Sequence, residues 1–79
     1  MLKPAEVTLL LSELCKKLGF CLLLSEIERL SATPPSGVDA FADAVFLAEG
    51  MNPEMADRHL YRQVRAVVRD AFASSESSA

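Results

Sequence analysis

Arg58, Arg62, Arg65 and Arg69 recur at spacings of four, three and four. On a helix turning about 100° per residue they fall within roughly 60° of arc. Glu54 stands four residues before Arg58 and is the one acid placed to pair with this stripe along the same helix. A guanidinium is a planar fork of donors, suited to bidentate contacts with carboxylate or phosphate. The stripe therefore reads in three ways: a solvated helix face, a surface that docks on acidic groups of another protein or subunit, or a phosphate contact. Asp39, Asp43 and Glu49 place the complementary charge on the preceding segment.

Other reactive residue types are sparse. His59 is the one histidine, and its neighbours Asp57 and Arg58 fan to different sides of a helix. Cys15, Cys21 and His59 fit no zinc-ligand spacing. The three glycines are too far apart for a phosphate loop. Glu26 and Glu28 are accounted for by helix capping and exposure, and an acid pair needs a perturbing pocket to act as acid and base. The reading is a chain without catalysis, with no cofactor, no metal and no small-molecule substrate.

The elements that position the arginines follow from punctuation and period. Pro4 opens a helix, where its missing N–H costs nothing. Val7, Leu10, Leu11, Leu14 and Leu18 recur at helical spacing, and Gly19 suits a left-handed end cap. Phe20 to Leu24 is an apolar connector expected to dive under the bundle. A lone strand there would leave its backbone groups unpaired. Ser25 and Glu28 have the form of a capping box for a short second helix. Ser36 caps a third, carrying Val38, Phe41, Ala42, Val45 and Ala48 on its main stripe. Asn52, Pro53 and Glu54 restart the chain into a fourth, with Ala56, Leu60, Val64, Val67, Val68 and Ala71 as its buried face. The fold class is all-α: a compact bundle of four helices at about 4–18, 25–32, 37–49 and 53–72, orthogonal or up-and-down, with no sheet. Residues 1–73 form a single helical domain and 74–79 a disordered Ser-rich tail. Leu14, Phe41, Val45, Leu60 and Val64 are expected to share one core.

Leu9, Phe46 and Leu47 fall off the main stripes. A chain of 79 residues has few elements to cover them, so they are candidates for self-association as a homodimer. Cys15 and Cys21 read as reduced, buried small hydrophobes, with a redox pair as the alternative. No stretch has the form of a secretory signal or approaches the ~20 apolar residues of a membrane span. A cytoplasmic, soluble protein follows as the expectation, with no membrane contact.

The net charge of −3 and the pI near 5.0 count against free-standing nucleic-acid binding. The function expected is a small protein-interaction or regulatory module whose partner is another protein or a second copy, with the arginine stripe as contact surface. The alternative is a small helix-turn-helix-like DNA-binding or transcription-associated protein. In that case Glu54 and Asp57 would face the phosphates from the first turn of the reading helix.

Overall fold

A computed structural model describes residues 3–77. Four helices follow in order: α1 (Pro4–Leu18), α2 (Leu24–Ala32), α3 (Val38–Ala48) and α4 (Arg58–Ser77). Among the described residues there is no strand. The bundle is all-α, with α4 packed against both α1 and α3, and α2 packed against α1. Its radius of gyration is 11.4 Å, close to the ~11.6 Å of a globular chain of this length.

Local chemistry explains the ends of α1. Pro4 takes the first position, and the Lys3 N–H donates to the Glu6 carboxylate at 2.9 Å. Gly19 adopts φ 76° and its N–H returns to the Cys15 carbonyl, while the Phe20 N–H reaches that of Leu14. A side chain at such a positive φ meets its own backbone, which is why glycine ends the helix here. Gly50 does the same after α3, at φ 80°.

One core unites the helices. Val7, Leu14, Phe41, Ala42, Val45, Phe46, Val64 and Val68 are fully buried, with Leu10, Leu11, Phe20, Leu30 and Phe72 nearly so. Leu14, Phe41, Val45 and Val64 share it as expected, whereas Leu60 packs at its edge and is only partly buried. The buried line of α4 is Val64, Val68 and Phe72: Val64 and Val68 belong to the expected face, Ala56, Leu60, Val67 and Ala71 of that face are only partly buried, and Phe72 was not among it. At about 100° per residue the helix is turned by roughly 70° from the expected orientation. The cause is aromatic: Phe72 packs edge-on to Phe41 at 6.0 Å between ring centres, and Tyr61 stacks on Phe46 at 5.4 Å. These large rings draw their side of the helix inward.

Several boundaries differ from the sequence reading. Helix α2 begins at Leu24 behind Leu23, whose carbonyl receives the Glu26 and Ile27 N–H groups, and Ser25 lies inside the helix instead of capping it. Gly37, not Ser36, precedes α3. Asn52 does cap a turn: its Oδ1 accepts from the Glu54 N–H at 2.9 Å. That turn stops before Asp57, whose carboxylate takes the His59 N–H at 2.7 Å and starts α4 afresh five residues later than expected. A short acid at this position offers the backbone a second cap, and the chain takes it. At the other end α4 runs through Ser77, so residues 74–77 of the expected tail are helical, and 78–79 lie outside the described residues.

The connector corrects two further expectations. Phe20 alone is buried; Leu23 and Leu24 stand 73% and 70% exposed. Cys15 and Cys21 form a disulfide, so they are not the reduced pair expected, nor available as thiolate ligands beside His59. Gly19 folds the chain back at the end of α1 and brings the two cysteines together, which their separation along the sequence did not disclose.

Candidate functional site

The arginine stripe lies along the flank of α4 that faces α3, a consequence of the turned helix. Its inner edge is already occupied. Arg65 donates from Nε to the Asp39 carboxylate, which raises the pKa of the guanidinium above its ordinary value and keeps it charged. One turn away, the Tyr61 hydroxyl donates to Asp43 Oδ1 at 2.6 Å. Asp39 and Asp43 are four residues apart on α3, as Tyr61 and Arg65 are on α4, and the two pairs connect in reverse order along the chain. That is the register of two antiparallel helices, held by a short polar ladder beside the core.

The ladder sets the state of Tyr61. The hydrogen bond to Asp43, together with partial burial and the negative charge nearby, pushes its phenol up to about 12. Tyr61 therefore keeps its proton at neutral pH and serves as a hydrogen-bond donor.

Outside the ladder the stripe is open. Arg58, Arg62 and Arg69 are exposed, and none forms an ion pair with any described residue. The pairing expected between Glu54 and Arg58 does not form, because Glu54 sits in the turn ahead of α4 and off its helical face. Arg58 and Arg62 line a cleft of about 550 Å³ between the end of α3, the 49–57 connection and the start of α4. Leu47, Pro53 and Ala56 supply its apolar wall, and Asp43, Asn52, Glu54 and Tyr61 its remaining polar groups. Arg69 lies two turns further along α4 and is not part of it.

The residues proposed for self-association separate. Leu47 is 61% exposed and lines the arginine cleft. Leu9 is 67% exposed and lines a smaller groove between α1 and α4, with Glu6, Glu13 and Asp70. Phe46 is fully buried between Phe20, at 5.1 Å edge-on, and Tyr61. It is a core residue and not a contact residue. Its position off the main stripe of α3 faces Phe20 of the connector, and the sequence reading lacked that neighbour.

Sequence reasoning missed Tyr61 and the use of Asp43. A signal was present: acids at 39 and 43 match a hydroxyl and a guanidinium at 61 and 65 in spacing. It becomes legible only if α3 and α4 are taken as antiparallel. Among the described residues no helix is long and apolar enough to cross a membrane, and no group of three His, Cys, Asp or Glu converges as a metal site. Comparison with known protein families, curated proteins and solved structures finds no match to the chain.

Proposed function

We propose that this chain is a non-catalytic protein-interaction module that receives an acidic, partly apolar segment on the Arg58–Arg62 flank of α4. The observation that carries the reading is two guanidinium groups without an ionic partner among the described residues, set against the exposed side chain of Leu47 in an open cleft. A guanidinium offers a paired set of donors to a carboxylate, and the apolar wall gives the same ligand an area to bury. In the ladder Arg65 already engages a carboxylate within the chain, through Nε to Asp39.

DNA binding is the second reading, and one observation favours it. Because α4 starts at Arg58, its first turn carries Arg58 and His59, with Glu54 removed from the helix. Against it stand the antiparallel ladder and the connection 49–57, which is longer than the 3–4-residue turn of a helix-turn-helix. The disulfide bears on the compartment: such bonds persist in oxidising surroundings and are rare in the cytosol, which weighs against a cytoplasmic location.

Fluorescence anisotropy with a labelled Leu/Glu-containing peptide and a labelled DNA duplex separates the readings. Peptide binding that Arg58→Glu/Arg62→Glu abolishes is the expected result. Binding of the duplex with a steep salt dependence, and none of the peptide, overturns the proposal.

A further inference from the structure

We infer that the occupant of the arginine cleft is the outer edge of α2 from a second copy of this chain. The inference rests on the interaction reading above and names its partner. Helix α2 is the least buried of the four, with Leu30 its one buried residue. Ile27 and Leu30 turn toward α1, which leaves the opposite edge to solvent. Leu24 and Glu28 stand four residues apart and share a face there. Among the described residues Leu23 and Leu24 are the most exposed pair of adjacent leucines. Glu28 is exposed and makes no hydrogen bond or ion pair with any described residue, whereas Glu26 on the neighbouring face is taken up by Arg29.

This edge is the chemical complement of the cleft. It offers leucine side chains and a carboxylate without an ionic partner among the described residues to a site where Leu47, Pro53 and Ala56 stand beside Arg58 and Arg62, likewise unpaired among those residues; of the two acids that also line the site, Asp43 is taken up by Tyr61, and Glu54 is the other. The cleft lies at the α3–α4 end and does not include α2, so the two surfaces meet only between molecules. A single contact then accounts for both unpartnered surfaces, since exposed adjacent leucines and unpaired arginines are each otherwise left in water. The contact joins different patches on the two copies. It closes as a reciprocal pair if each molecule inserts its α2 edge into the other, and extends as a chain if it does not.

Charge reversal tests this directly, because Arg62 and Glu28 are both on the surface and their exchange leaves the core untouched. Sedimentation velocity at low ionic strength, from low to high micromolar protein, reads the association. The wild type is expected to sediment faster as concentration rises. Arg62→Glu and Glu28→Arg are each expected to weaken association about tenfold or more. An equimolar mixture of the two variants is expected to recover it, since each then presents the charge that the other's altered surface needs. A wild type that stays monomeric throughout overturns the inference, as does association that survives both reversals. If the wild type is monomeric but the Leu/Glu peptide still binds through Arg62, only the second-copy assignment falls. If neither the peptide nor a second copy binds, the interaction reading falls with it.

Discussion

Phe20 and Phe46 touch where two differently built halves of the molecule meet. On the α3–α4 side, four residues of α3 and Val64, Val68 and Phe72 of α4 are buried in one core, two ring contacts lock the helices, and a polar ladder fixes their register. On the α1–α2 side, α1 is well buried but α2 is held by Leu30, the partly buried Ile27 and a disulfide just ahead of it. Packing holds one half and a covalent link supplements weak packing in the other. The contrast accounts for the exposure of Leu23 and Leu24 at the start of α2: a helix with little buried area leaves more of its apolar material outside.

The largest expected effect is at the junction. Phe46→Ala removes a ring in contact with Phe20 and Tyr61 and is expected to cost about 3–5 kcal/mol, where Leu60→Ala at the rim costs clearly less. Urea denaturation followed by circular dichroism measures both. Equal losses would mean that α4 is not turned as described. Phe46→Asp is expected to unfold the chain, because it places an unpaired charge in the core.

Reduction of the disulfide comes next. The bridge spans a short loop, for which chain entropy predicts about 2 kcal/mol. Hydrogen exchange on Cys15→Ser/Cys21→Ser is expected to show faster exchange in α2 while the α3–α4 amides keep their protection. Loosening spread evenly over all four helices would erase the contrast between the halves.

The smallest effect sharpens the ladder. The Tyr61 phenol titrates at 10.0 as an ordinary tyrosine and at about 12 in the folded chain. The native state thus holds a proton that the unfolded state releases between those values. The stabilisation is whole below pH 10 and declines as pH rises through 12. Asp43→Asn is expected to bring the phenol down toward its ordinary value, read by ultraviolet absorbance during alkaline titration. An unmoved titration would remove Asp43 as the cause.

How much of this was legible in the sequence depended on distance along the chain. Helix α1 was read with both ends in place, because Pro4 and Gly19 act through their own backbone geometry. Three of the four candidate arginines were placed on an open face, and Leu47 was singled out without its cleft. Arg65, Phe46 and the cysteines were misjudged because each is decided by a partner at a distance or around a bend: Asp39 on α3, Phe20 on the connector, and the reversal at Gly19.

The sequence by itself determined the all-α class, the existence of four helices, the glycine end of α1 and the arginine spacing. These follow from the 3.6-residue period and from short-range capping, which need no knowledge of neighbours. The tertiary structure alone decided which way α4 faces, where it begins, and which arginines remain unpaired. Two overlapping apolar faces were available on that helix, and two caps, Asn52 and Asp57, competed for its start. Local energies leave such choices nearly balanced, and the packing of Tyr61 and Phe72 against the rings of Phe46 and Phe41 resolved them.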